Sequence, residues 1–177
     1  MVHSWQQTIF IDEALAKKLI EEQVDLKVTA ISLMGKGWDN VAYLINEKYV
    51  FRFPRRAMGV ECMENEIYLL PYIAQYVSFP FSYPEFIGIA TGKYPTPFAG
   101  YRILPGLPLS DVPAEPISDA PFAEKLATWL KKLHAIPVRK DDISHNHFLM
   151  KKCLALGRFF QRITVKIFGI GSNLRYF

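Results

Sequence analysis

The order of elements in this sequence predicts an α+β fold built on an antiparallel sheet. Three observations carry that reading. Strand-like runs follow one another through turns too short to hold a crossover helix, so neighbouring strands must run antiparallel. A helix is inserted after the third run, two further strands follow, and a Pro-Gly pair separates them from a last helix. Half of the 177 residues are hydrophobic, with 13 Phe, 9 Tyr and 3 Trp, which is enough apolar material for a packed core.

Residues 11–23 read as an amphipathic helix, with Ile11, Leu15, Leu19 and Ile20 at helical spacing and acids near its start. Asp12 and Thr8 are both suitable caps. Residues 26–31 alternate with β-branched content and read as the first strand. A glycine-bearing turn at 35–40 leads to strands at 41–45 and 49–53, joined tightly through Asn46-Glu47-Lys48 as a hairpin. Pro54 ends the third strand because it has no N–H for the ladder. Residues 61–76 read as a helix with Met63, Ile67, Leu70 and Ile73 in one stripe, and Pro71 is expected to kink or reset it. A proline-punctuated loop at 79–84 precedes a short strand at 86–89. Residues 94–97 form another turn, 99–104 a further strand, and Pro105-Gly106 ends it. Residues 121–136 read as the last helix, carrying Phe122, Leu126, Leu130 and Leu133. No internal repeat or low-complexity segment interrupts this order.

Charge is distributed unevenly. Residues 1–150 hold 15 of the 21 Lys and Arg against all 17 Asp and Glu, a net of −2, while residues 151–177 hold six bases and no acid. The basic pI therefore describes the tail. No apolar run is long enough to span a bilayer, and residues 1–8 lack the charged and apolar regions of a secretory signal. Cys62 and Cys153 are too few for a disulfide framework and read as reduced thiols of a cytoplasmic protein.

The residues suited to chemistry begin at Gly35-Lys36-Gly37-Trp38-Asp39-Asn40. This G-x-G-x-x-N segment lies between two strands, where a kinase places the loop that covers phosphates. Glycine lets backbone N–H groups approach phosphate oxygens with no Cβ in the way, and Asn40 can take the left-handed conformation a third glycine would supply. Gly35, Gly37, Asp39 and Asn40 are the candidate residues of this loop. Trp38 either covers a ligand at its tip or is a plain exposed aromatic. In Val50-Phe51-Arg52-Phe53, period-two alternation sends Arg52 to the face opposite Phe51 and Phe53. A cation in the third strand is what a kinase uses on the α- and β-phosphates, and arginine keeps the charge with a bulkier, bidentate head. Glu66 is the candidate partner of Arg52, because it borders the apolar stripe of its helix. Glu61 and Glu64 compete for that role. Leu33, Val50 and Leu104 are candidate apolar walls for a base.

The segments 37–40, 49–56, 66–71 and 98–106, together with Leu133-His-Ala-Ile-Pro137, resemble the aminoglycoside phosphotransferase family in content and order, over roughly residues 5–138. The resemblance implies a protein-kinase-like fold. Residues 1–104 would form a nucleotide-binding N-terminal lobe with about five antiparallel strands and an αC-type helix. Residues 105–150 would form the hinge and start of a partial helical C-terminal lobe, and 151–177 a divergent basic and aromatic tail. It implies ATP or GTP with Mg²⁺ as cofactor, with main-chain groups of Arg102 and Leu104 at the base. It implies a small hydroxylated acceptor, an antibiotic or a metabolite, and hence a connection with antibiotic resistance. His134 has a structural place in the family pattern.

The family's His-Gly-Asp-x-x-x-x-Asn loop and later Asp-bearing turn, which orient the acceptor and bind metal, do not occur in this sequence. Asp141 and Asp142 stand in no such context, and His145-Asn146-His147 lacks the Gly-Asp. The expectation is a truncated kinase chain, inactive alone, with no catalytic or metal-binding residue of its own. The alternatives are a non-catalytic nucleotide-binding or interaction module and an inert product that self-associates through an exposed lobe face. The tail is read as a frameshift or premature-stop product, a helical remnant or, least favoured, an amphipathic segment. No nucleic-acid or membrane partner is expected.

Overall fold

A computed structural model of the chain describes residues 8–106 and 120–137. The expectations placed on 138–177, including Asp141, Asp142, His145–His147, Cys153 and the tail, lie outside the described residues. Among the described residues the order is α1 (Glu13–Gln23), β1 (Ile31–Lys36), β2 (Asn40–Ile45), β3 (Tyr49–Pro54), α2 (Ala57–Ala74), β4 (Pro84–Gly88), β5 (Phe98–Arg102) and α3 (Ala120–His134). The five strands form one antiparallel sheet in the order β1-β2-β3-β5-β4.

Asp12 caps α1, its Oδ1 accepting from the Leu15 N–H at 2.8 Å, and satisfies a donor that the helix itself cannot. The first strand spans Ile31–Lys36, whereas the alternation placed it at 26–31 and gave Gly35 and Lys36 to the turn. The hairpin residue Asn46 explains this. Its Oδ1 accepts from the Thr29 and Ala30 N–H groups at 2.8 and 3.0 Å, and its Nδ2 donates to the Lys27 carbonyl at 2.8 Å. A side chain thus takes the backbone groups of 27–30 that a ladder would have used. Asn46 and Glu47 have φ of 52° and 56°, the two successive left-handed residues of a primed hairpin turn, closed by the Lys48 N–H on the Ile45 carbonyl at 3.1 Å.

Helix α2 starts at Ala57, four residues before the apolar stripe suggested, and runs through Pro71 without ending there. Pro71 removes one N–H from the ladder. Met63 and Leu70, both buried in the turns before Pro71, anchor the helix.

The core lies between α1 and one sheet face. Ala16, Leu19 and Ile20 of α1 meet Val41, Tyr43 and Ile45 of β2, Tyr49, Phe51 and Phe53 of β3, and Phe98 of β5. Phe53 and Phe98 stack at 4.7 Å between ring centroids. Gly100 has no Cβ for a reason: one built there would stand 2.5 Å from the Phe51 ring.

The described residues divide into two compact units. One holds 8–72 and 82–104, with the sheet, α1 and most of α2. The other holds 73–81, 105–106 and 120–137; there Phe79 meets Trp129 of α3 at 5.3 Å between rings, and Lys132 Nζ lies 3.4 Å from Ser78 Oγ. His134 is the last residue of α3.

Candidate functional site

The sheet face away from α1 carries Arg52, and strand register decides what surrounds it. Ala42 of β2 pairs with Arg52, and Arg52 pairs with Ala99 of β5. On β1 the register shifts between Leu33 and Gly35, so Gly35 pairs with Ala42. That bulge reverses the parity of β1. Without it Met34 would stand in this row; with it the row reads Gly35, Ala42, Arg52, Ala99. The guanidinium stem therefore lies in a furrow whose neighbours project a methyl group or nothing. The next row is Ser32, Leu44, Val50 and Tyr101. Leu33 pairs with Tyr43 and so belongs to the opposite face, apart from Val50. By alternation from the Ser32–Leu44 pair it does not share a base-binding wall with Val50.

Arg52 Nη1 lies 2.6 Å from Glu66 Oε2, with the two side chains only 12% and 13% exposed. Of the three candidate carboxylates it is Glu66 that meets the cation, whereas Glu64 is exposed. Tyr101 completes the group: its hydroxyl donates to the same Oε2 at 2.8 Å, touches Met63 Sδ at 3.6 Å, and its ring centroid lies 5.5 Å from the guanidinium carbon. Burial works against the charge on Arg52, but the Glu66 carboxylate more than offsets this and raises its pKa. Burial, reinforced by the Glu66 charge, raises the Tyr101 phenol well above its ordinary value, so it remains a neutral donor. Tyr101 was not foreseen, although its place two residues from Ala99 on β5 puts it on the Arg52 face by alternation alone.

The glycine loop is tied down from β3 and α2. Arg56 brings Nη2 and Nε to Asp39 Oδ1 at 2.6 and 2.7 Å, the Asp39 carbonyl accepts from the Arg55 N–H at 2.8 Å, and Arg55 Nη1 donates to the Gly37 carbonyl. The Asp39 side chain is thus buried and committed to Arg56. The Gly37 N–H donates to the Asn40 carbonyl at 2.9 Å. Asn40 does not adopt the left-handed conformation open to it: it opens β2 opposite Pro54. Its side chain lies on the Arg52 face with a buried amide oxygen that has no hydrogen-bond partner. Because amide O and N exchange by a flip, this atom pair can offer a donor or an acceptor to a ligand. Trp38 stands exposed at the tip.

At the end of β5 the Ile103 N–H donates to the Lys48 carbonyl at 3.0 Å. Successive amides of an extended chain point to opposite sides, so those of Arg102 and Leu104 are directed away from β3. The Arg102 side chain is held by Glu85, Nε to Oε1 at 2.8 Å and Nη2 to Oε2 at 2.9 Å, and leaves its main chain uncovered by its own guanidinium.

The phosphotransferase enzyme family matches residues 30–158. Among solved structures, the chain is similar to the GDP complex of wild-type aminoglycoside 2'-phosphotransferase-IIIa, at 28% identity and a TM-score of 0.64, over 85% of this chain and 52% of that one. It is similar to the GDP and kanamycin complex of APH(2")-IIIa at 28% and 0.62, over 82% and 50%. Macrolide 2'-phosphotransferase type I, at 20% and 0.52 over 85% and 48%, shares the fold. The chain spans about half the length of these proteins. Comparison with curated protein sequences gives no match. The family match over most of the chain, on a five-stranded antiparallel sheet of the kinase-like type, places this chain in the phosphotransferase enzyme family.

Proposed function

We propose that this chain supplies the nucleotide-binding part of a kinase-like phosphotransferase, which moves the γ-phosphoryl group of ATP or GTP to a hydroxyl of a small molecule. The observation that carries the reading is the Arg52–Glu66 pair, set in a row of small residues beside the glycine loop. Glu66 holds the guanidinium over the α- and β-phosphates, where its planar fork meets two oxygens. The glycine loop covers the phosphates further out, the orphan amide of Asn40 lies on the same face, and Asp39 fixes the loop through Arg56. Val50 and Leu104 flank the base, and the main chain of Arg102 and Leu104 reads its edge.

In the transfer, the acceptor oxygen bonds to the γ-phosphorus as the bond to the β–γ bridging oxygen breaks, and the acceptor proton passes to a base. The described residues provide the donor half of this chemistry. They do not fit a metal site made of protein ligands, since among them no three His, Cys, Asp or Glu side chains converge. The kanamycin complex of a relative supports an aminoglycoside as acceptor. Use of ATP or GTP as donor supports a cytoplasmic location for the chain. Among the described residues no helix is long and apolar enough to cross a membrane.

A second reading stands beside this one: nucleotide binding without turnover. Thermal melting with MgATP and MgGTP tests both. Ligand at about 100 times its Kd adds about 2.7 kcal/mol, equivalent to about 5–10 °C in Tm for a chain of this size. The shift should vanish in Arg52→Ala. No shift in the wild type with either nucleotide would refute both readings, and transfer to kanamycin, followed by nucleoside diphosphate release, separates them.

A further inference from the structure

We infer that the Tyr101 hydroxyl is a positioning group for the donor phosphates, acting through Glu66 and not through the base. This rests on the nucleotide-binding reading above. The three side chains form a closed arrangement: Arg52 Nη1 and the Tyr101 hydroxyl both reach Glu66 Oε2, at 2.6 and 2.8 Å, and the Tyr101 ring lies beneath the guanidinium at 5.5 Å. A contact between one oxygen and one nitrogen constrains the last torsion of a carboxylate only weakly. A second donor on that same oxygen, from a different strand, restricts it further. The ring then sets the height of the guanidinium above the sheet by cation–π contact. Tyr101 itself is fixed: it is buried, it sits mid-row between Val50 and Pro84, and Met63 Sδ lies 3.6 Å from its hydroxyl. The direction in which Arg52 points is therefore decided on β5, immediately before the segment proposed to read the base.

The consequence is specific to phosphate. Removing the hydroxyl loosens Glu66 and hence Arg52, while the ring, the packing and the base-binding main chain remain. Tyr101→Phe should weaken binding of MgATP and MgGTP about tenfold, equivalent to ~1.4 kcal/mol, and leave adenosine and guanosine binding unchanged. Calorimetric titration of the full chain with all four ligands gives the ratio directly. The effect should also disappear in a Glu66→Gln background, since the two groups act as one unit. A Tyr101→Leu variant, which removes the ring as well, should lose more triphosphate affinity than Tyr101→Phe. Where Tyr101→Phe weakens nucleoside and triphosphate equally, Tyr101 acts on the base and the inference is wrong. Equal triphosphate affinity in wild type and Tyr101→Phe also overturns it, while the nucleotide-binding reading survives. A wild-type chain that binds neither triphosphate removes both.

Discussion

Arg52 and Glu66 show how much one residue's surroundings matter. Each is a common surface residue, yet here both side chains are nearly nine-tenths buried. At that depth solvent screening is weak, and breaking the pair strands a charge. Glu66→Gln keeps the shape and one acceptor oxygen but removes the countercharge. It should destabilise the chain by about 2–3 kcal/mol in urea denaturation, toward the low end for buried pairs. Arg52→Lys keeps the charge and loses the planar fork, so it should bind triphosphate more weakly than wild type and better than Arg52→Ala. The exposed Arg102–Glu85 pair is the contrast: despite its bidentate geometry, solvent screens it, and Glu85→Gln should cost well under 1 kcal/mol.

At the scale of elements, single residues govern where strands and helices begin. Asn46 combines a left-handed turn conformation with side-chain bonds to 27–30. Two substitutions separate these tasks. Asn46→Gly keeps the turn and loses the clamp; Asn46→Ala loses both and should be less stable than Asn46→Gly by about 1 kcal/mol, the penalty for a left-handed alanine. Gly59 sets a similar contest within α2. Alanine is favoured over glycine inside a helix by about 1 kcal/mol, but a Cβ at residue 59 would lie 2.3 Å from the Asp39 carbonyl oxygen. The oxygen belongs to the backbone and the helix fixes where the Cβ stands, so neither yields easily. Steric conflict wins: Gly59→Ala should destabilise by about 2 kcal/mol, measured by chemical denaturation. It should also weaken triphosphate binding by displacing the glycine loop.

For the molecule as a whole, the buried tyrosines determine the response to alkali. Tyr43, Tyr94 and Tyr101 all have pKa values raised above the ordinary 10.0, chiefly by burial. Their native state holds protons that the unfolded chain releases near pH 10, so stability is fully present below that pH and is lost as pH rises above it. Melting temperature should therefore hold to about pH 9.5 and fall steeply beyond about pH 10. Tyrosinate absorbance should show these three ionising above the ordinary tyrosine range, together with unfolding. A smooth titration of all tyrosines near pH 10, with Tm unchanged, would contradict the burial described.

Period-two and period-3.6 patterns were enough to place four of the five strands, a helix after the third and a last helix, because apolar side chains must repeat with the geometry of the element that buries them. The Arg52–Glu66 pairing was legible for the same reason: alternation with Phe51 and Phe53 turns Arg52 to one face, and the helical stripe puts Glu66 at its edge. The start of β1, the bulge that exchanges Met34 for Gly35 in the row beside Arg52, the commitment of Asp39 to Arg56 and the third member at Tyr101 were not legible. Each depends on register or on a side chain reaching across 17 or more positions, as Asn46 does to Thr29 and Tyr101 does to Glu66. Local pattern specifies which face a residue takes within its own element. Only the packed sheet decides which residue stands opposite it, and here that decides what surrounds Arg52.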